Sequence, residues 1–473
     1  MLRLRYWSTR HAPLWSRLYA VWARVAPSLA PLARWCGEQR LARWLLPIER
    51  LSKQSFFDCQ MCGQCVLSAT GMTCPSNCAK QMRNGPCGGV RANGHCEVDA
   101  SMACVWVQAT EGDARLQAGH TAGWRQRLPP VEAQRRGSST WIPMVTVKSV
   151  PTPVNKAPPA PARPDTAPVS GLEAACRSGQ FVVTVEIAPP DSHEPAQLLA
   201  RAERFRGLVD AINITDGAGA NCHMSSVAAA SVLSAHGYEP VCQVGCRDRN
   251  RIALQGDVLG AAALGVRNVL CLTGDDVSQG DHPGAKPVFD LDAVNLLHML
   301  EGMREQGEYA SGRKLAAPVP LFMGATANPF VPPYTERIAN LERKINAGAR
   351  YIQTQFCFDL PLLEAFMREV RQRGLHERAA FLIGVGTLPS AKGLRWMAEH
   401  VPGVHVPQAV TERIAAAADQ KAEGLRVCIE TIQALRQIPG VAGVHLMGHR
   451  NEDQLARAIV EAGLRPAPAL HAA

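Results

Sequence analysis

From about residue 170 onward, short apolar strands alternate with amphipathic helical stretches eight times, and few folds accept that order. The candidate strands are 181–187, 211–215, 240–246, 268–274, 320–326, 351–358, 380–388 and 441–448. Helical periodicity fills the gaps, for example over 193–206, 250–265, 334–348, 360–374 and 411–437. Eight such strand–helix units over roughly 290 residues satisfy a (β/α)8 barrel. A doubly wound sheet is the rival arrangement. Its GxGxxG fingerprint between the first strand and first helix does not occur here. The fold class expected is therefore α/β, a TIM-type barrel over 170–473 with additions before it.

Those additions divide into three by composition. Residues 1–50 read as a basic amphipathic helical arm, with Leu14, Leu18, Trp22, Val25 and Leu29 at helical spacing and Pro27 and Pro31 as breaks. The arm's apolar face is expected to pack on the rest of the protein; a membrane-surface helix is the alternative, and peripheral membrane contact is not the expectation. Residues 51–125 hold eight cysteines within a 46-residue window: Cys59, Cys62, Cys65, Cys74, Cys78, Cys87, Cys96 and Cys104. The segment is rich in Gly, Asn and Pro and needs metal to hold it together. Its opening CxxCxxC is spaced for three thiolates around one corner of an iron–sulfur cluster, with [4Fe-4S] the first choice and structural zinc the alternative. The first-choice ligands are Cys59, Cys62 and Cys65 with one of Cys74 or Cys78. Lys80, Arg83 and Arg91 stand near enough in sequence to offset thiolate charge. Residues 126–169 read as a proline-rich extended spacer.

Chemistry in such a barrel collects at the C-terminal strand ends. The first strand carries Glu186 inside an apolar run, where burial is expected to raise its pKa and suit it to general acid work. A structural carboxylate paired with a cation is the plainer reading. The second strand runs into Thr215-Asp216-Gly217-Ala218, the fourth into Gly274-Asp275-Asp276. The sixth ends at Gln355, which offers a donor and an acceptor to a heterocycle edge, and the eighth at Gly448-His449-Arg450-Asn451. Asn340, Arg343 and Lys344 on the fifth crossover helix suit a phosphate or pyrophosphate. Cys242, Cys271 and Cys428 read as small core residues, and the Cys222-His223 and Cys246 positions lack the further spacing of a second metal site.

Taken in order, VEIAPP, ITDGA, LTGDD, NLERKINAGARYIQTQFCFD and GHRN resemble the methylenetetrahydrofolate reductase family, from about Phe181 to Leu464. The resemblance implies a flavin-dependent oxidoreductase that passes hydride to methylenetetrahydrofolate and forms methyltetrahydrofolate. It places Glu186 at the general acid and Asp275 at the carboxylate beside flavin and pterin. Gln355 and Arg450 fall on substrate contacts. Thr215, Asp216, Ala218, Gly274, Asp275, Asn340, Arg343 and Lys344 fall on flavin-binding positions, with FAD or FMN as the cofactor and NAD(P)H or a ferredoxin-type protein as the donor. The chain departs from the family pattern at Gln243, Thr273 and Arg337. The cysteine segment resembles a domain fused to, or encoded beside, such reductases in some bacteria, which implies electron delivery through a metal centre or docking of a redox partner. Two further readings stay open: a non-catalytic folate-handling assembly module, and the same enzyme running oxidatively.

Charge and composition narrow the partners. Nine arginines against Glu38 and Glu49 give +7 in residues 1–50, so only +2 of the net +9 lies beyond them and nucleic acid is not an expected partner. No apolar run reaches the roughly 18 residues of a membrane span. Sixteen cysteines without a secretory signal suggest reduced thiols and the cytoplasm, with oligomerisation open.

Overall fold

In this computed structural model, residues 2–116, 127–146 and 167–466 are described. The chain divides into two compact units, Met1–Cys87 with Asn93–Pro159 and Gly88–Ala92 with Ala160–Ala473.

The second unit is a closed parallel barrel of eight strands in sequence order. They are β1 (Val182–Ile187), β2 (Ala211–Ile214), β3 (Pro240–Gly245), β4 (Asn268–Leu272), β5 (Phe322–Ala327), β6 (Tyr351–Phe356), β7 (Ala380–Val385) and β8 (Val441–Leu446). Each expected strand is present. Their runs of buried residues fit parallel strands covered on both faces. The pairing of Val182–Val185 with Gly443–Leu446 closes the ring. Crossover helices start where the sequence offers a cap. Asn250 accepts from the Ile252 and Ala253 amides, Asp292 from Asn295, Asp359 from Leu362 and Ser390 from Gly393.

One helical stretch differs from expectation. The segment 411–437 is two helices, Gln408–Ala416 and Gln420–Leu435. Asp419 separates them because its carboxylate caps Ala422 and starts the second helix.

The helix Gly171–Ser178 closes the N-terminal end of the barrel. Its Leu172 and Cys176 pack with Val182, Ala211, Val241, Leu270, Phe322 and Tyr351. Tyr351 is wholly buried, and its hydroxyl donates to the Val269 carbonyl at 2.8 Å. Gly324 makes room for that ring, since a Cβ there would lie 2.2 Å from it. Cys242, Cys271 and Cys428 are buried core residues, and burial pushes the Cys242 and Cys428 thiols up to about 12.

The first unit is helical and irregular. Its helices are Leu2–Arg10, Ala12–Val25, Ala30–Cys36, Glu38–Phe57 and Val105–Leu116. Pro27 and Pro31 stand in first-turn positions after the break, where a missing N–H costs nothing. One helix, Glu38–Phe57, crosses residue 50 and ends two residues before Cys59. The expected face is buried only in part. Trp22 and Leu29 pack with Ala26, Ala33 and Leu41, whereas Leu14, Leu18 and Val25 are about half exposed, and Ala12, Trp15 and Tyr19 pack instead with Phe57, Leu67, Met72 and Cys74. One step along a helix turns the face by about 100°, so an apolar stripe read on the wrong neighbour points to water.

Residues 127–146, expected to be extended spacer, carry the turn Ala133–Arg135 and the short helix Ile142–Val145. They are held by Glu49, which is fully buried. Its carboxylate accepts from Ser139 Oγ at 2.5 Å, Thr140 Oγ1 at 2.6 Å and the Thr140 amide at 3.1 Å, and pairs with Lys53 Nζ at 2.7 Å. Burial would raise this carboxyl, but Lys53 and the hydroxyl donors hold it below its ordinary value. The prolines from 151 to 164 lie outside the described residues.

Candidate functional site

Glu186 is the penultimate residue of β1. It does not sink into the core as expected, since its side chain keeps 28% exposure. Gln243 on β3, itself buried, donates from Nε2 to Glu186 Oε2 at 2.9 Å. His445 on β8 lies below, with Nε2 3.8 Å from the same oxygen. Its other nitrogen, Nδ1, meets Thr184 Oγ1 at 2.9 Å.

Thr184 is two residues before Glu186 and so shares its face of the strand. Beneath the carboxylate a closed polar layer spans the barrel: Gln353 Nε2 donates to Thr184 Oγ1 at 3.3 Å, and Asn213 Nδ2 donates to Gln353 Oε1 at 2.6 Å. All four of Thr184, Asn213, Gln353 and His445 are buried. A buried network with every member bonded holds one geometry, so Glu186 stands on a rigid floor.

The loops after β2 and β4 meet beside it. Gly217, Gly219 and Ala220 have φ of 60°, 63° and 61°, which folds Ala218 into a tight left-handed turn. The Gly219 amide donates to Asp275 Oδ2 at 2.9 Å, tying the β4 carboxylate across to that turn. Gly274 has φ 100°, and a Cβ there would come 2.8 Å from Arg247 Cβ, so only glycine lets the chain pass. Thr215 is buried and its Oγ1 has no protein partner. A buried hydroxyl without a partner is expensive unless a ligand supplies one.

Several other expected residues have partners of their own within the protein. Asp216 pairs with Arg249 and accepts from the Gly245 amide at 2.7 Å, so it fixes the β2–β3 junction. Arg343 and Lys344 are both buried. Arg343 pairs with Glu336, while Lys344 Nζ donates to the Thr326 carbonyl near the C-terminal end of β5 at 2.6 Å. Asn340 is buried on the same helix. Arg337, a departure from the family pattern, donates to the Val331 and Pro332 carbonyls. Gln355 Oε1 accepts from the Phe356 amide at 3.0 Å. Arg450 stands exposed just past β8 with φ 52°. His445 was not a candidate; the available signal was a polar residue alternating with Val444 and Leu446 in an apolar strand. His223 pairs with Asp191 at 2.5 Å, and Cys222 is exposed.

In the first unit Cys59, Cys62, Cys65 and Cys74 line one cavity with Glu49, Lys53 and Arg83. Of the two candidates for a fourth thiol, Cys74 rather than Cys78 lines that cavity. A hydrogen bond from Cys74, helped by the Met61 amide and Lys53, brings the Cys59 thiol down to about 7. The others form a second neighbourhood. Cys78 and Cys104 are raised by burial first and then by the charge of Cys87, and Cys104 also feels Cys96, reaching about 12. Lys80 pairs with Glu97. Among the described residues no set of three or more His, Cys, Asp or Glu side chains is drawn to metal-holding geometry.

A protein-family profile described as methylenetetrahydrofolate reductase matches residues 171–463, and the chain belongs to that family. A second, described as methylene-tetrahydrofolate reductase C terminal, matches residues 39–133, here ahead of the barrel. A Caenorhabditis elegans protein named probable methylenetetrahydrofolate reductase (NADPH) is 24% identical over 246 residues, 51% of this chain and 34% of the relative. The chain thus spans about a third of that relative's length. Among solved structures, an uncharacterised Clostridium thermocellum protein that binds two copies of 5-methyl-5,6,7,8-tetrahydrofolic acid is 14% identical with a TM-score of 0.43, over 62% of this chain and 98% of that one. A 2,3-dimethylmalate lyase is 14% identical with a TM-score of 0.36, over 62% of this chain and 85% of that one. No helix among the described residues is long and apolar enough to cross a membrane.

Proposed function

We propose that the barrel interconverts 5,10-methylenetetrahydrofolate and 5-methyltetrahydrofolate, with reduction as the working direction. The observation that carries this is Glu186, partly open at the barrel mouth and bonded by Gln243, in a chain whose barrel matches the reductase family throughout. A flavin fits the same mouth: Thr215 offers a hydroxyl in want of a partner, and the Ala218 turn and Gly274 leave backbone open to close approach. Thr215, Ala218, Gly274 and Lys344 would hold it, and a bound reduced flavin supplies the hydride.

The chain's own residues do the proton and charge work. Gln243 donates to Glu186 Oε2, so a neutral carboxyl carries its proton on Oε1. From there the proton passes to the folate nitrogen that leaves as the five-membered ring opens. The product of that opening is a cationic iminium. Asp275, fixed by the Gly219 amide, sets a carboxylate beside it. Gln355 has its oxygen engaged by Phe356 and keeps its amide nitrogen to donate to the pterin. Arg450 would pair with the carboxylates of the folate tail.

The N-terminal unit would bind iron–sulfur centres through Cys59, Cys62, Cys65 and Cys74 and through Cys78, Cys87, Cys96 and Cys104, and pass electrons to the flavin from a ferredoxin-type donor. Four thiols alone suit zinc as well as iron, and it is the CxxCxxC spacing, with Lys53 and Arg83 beside the group, that supports a cluster. Anaerobic purification with flavin, iron and sulfide analysis tests both parts. The bound flavin is then reduced in turn by NADH, NADPH and reduced ferredoxin. Zinc without iron would refute electron transfer by the cysteine unit, and absence of flavin would refute the reductase.

A further inference from the structure

At the N-terminal end of the barrel, opposite the Glu186 mouth, a second cavity is lined by Glu173, Cys176, Arg177, Arg304, Phe322, Arg350, Arg378 and Ala380. Four separate elements bring its guanidiniums together. Arg177 ends the closing helix Gly171–Ser178, Arg304 lies in the turn Gly302–Gln306, Arg350 precedes β6 and Arg378 precedes β7. Three carboxylates answer them. Glu173 pairs with Arg177, Glu301 with Arg304 and Arg350, and Glu305 with Arg304. Arg378 donates to the side-chain oxygen of Asn346 at 2.6 Å, and Glu342, which pairs with Arg373, lies near enough to act on its charge.

With Arg373 counted beside its partner Glu342, five guanidiniums face four carboxylates, and guanidinium N–H groups remain unused. Arg350 has 8% side-chain exposure, yet its Nε has no hydrogen-bond partner. The Nε of Arg378 is also buried without a partner. Burial pulls both guanidiniums below their ordinary pKa, the direction expected where cations lack a full counter-charge. Guanidinium forks match oxyanions in shape as well as charge.

We propose that this cavity binds a small tetrahedral oxyanion, inorganic phosphate or the head of a phosphomonoester, between Arg378, Arg350 and Arg177. The site owes nothing to folate or flavin chemistry, and stands whether or not the proposed reaction is correct.

The test uses the full chain with its cofactors bound, titrated with sodium phosphate, methyl phosphate or sodium chloride at constant ionic strength, by calorimetry and thermal melting. Saturable heat and a rising melting temperature are expected with the phosphates and not with chloride. Arg378→Gln should weaken binding at least about tenfold, the loss of one charge-assisted contact, while leaving folate turnover unchanged. If that variant misfolds, Arg177→Gln replaces it with the same expectation. Tighter binding of methyl phosphate points to a phosphomonoester, and tighter binding of phosphate to the free ion. No saturable binding, or equal affinity in the folded variant, overturns the site.

Discussion

The barrel buries its apolar side chains, whereas the N-terminal unit leaves many of its own in water. Among the described residues, eleven of the seventeen exposed large apolar side chains lie between Leu4 and Leu51, including Trp35 at 81% exposure and Leu51 at 71%. The two units therefore stand by different means. In the barrel, side chains such as Ile187, Ile212, Val269 and Phe381 are at or below 1% exposure in one continuous core. The N-terminal unit has small separate clusters, a buried charge network at Glu49 and four thiols around one cavity. A continuous core makes the site at the barrel mouth rigid; a unit held largely by buried polar contacts depends on pH.

Variants that attack those contacts should separate the units most sharply. Cys59→Ser with Cys62→Ser removes half of one thiol group, and loss of a structural metal is worth on the order of 10 kcal/mol in small domains. The expected outcome is loss of bound iron and early proteolysis within residues 1–116, with barrel melting unchanged. Protection of both units at wild-type level would show that metal does not hold the first one. Next in size is Glu49→Ala, which strands Lys53 as a buried charge and frees residues 127–146; about 3–5 kcal/mol of destabilisation of the first unit is expected by denaturant titration.

The same carboxylate gives a pH dependence. Its folded pKa lies below the ordinary value, so its contribution is complete above that value and is lost as pH falls through the lowered one. Acid melts below about pH 4.5 should therefore lose the first unit in the wild type more steeply than in Glu49→Gln. A smaller effect is expected for Gln243→Leu, which removes the hydrogen bond that orients the Glu186 carboxyl and should lower turnover by up to roughly tenfold, the weight of one neutral hydrogen bond, in steady-state assays. Smallest is Trp35→Ser, within about 0.5 kcal/mol by thermal melting, because the ring is mostly in water already.

The same contrast governs what was legible in the sequence. All eight strands could be placed because buried parallel strands are apolar on both faces, and each ends at a turn rich in Gly, Asp or Asn. The identity of the residues at the mouth was legible, but their engagements were not. Asp216 and Arg343 suit a cofactor by type, and the fold also pairs them with Arg249 and Glu336, 33 and 7 positions away, which sequence order does not show. His445 was hidden because its partners Thr184 and Glu186 are more than 250 residues earlier. Among the cysteines, spacing fixed Cys59, Cys62 and Cys65 as one group, but only the fold brings Cys74 rather than Cys78 to them. In the arm, a 3.6-residue period is shared by adjacent stripes: Trp22 and Leu29 of the expected one pack near Leu41, while Phe57, Leu67 and Met72 draw in Ala12, Trp15 and Tyr19 instead of Leu14 and Leu18.

The central claim is that chemistry at the barrel mouth depends on a proton held at Glu186. Single-turnover oxidation of prereduced enzyme by methylenetetrahydrofolate, followed anaerobically by flavin absorbance, measures it directly. Glu186→Gln keeps the shape and the bond to Gln243 but has no acidic proton. A rate about 10²–10⁴-fold below wild type, with flavin content and melting temperature unchanged, is the result predicted. A rate within a few-fold of wild type would contradict the account.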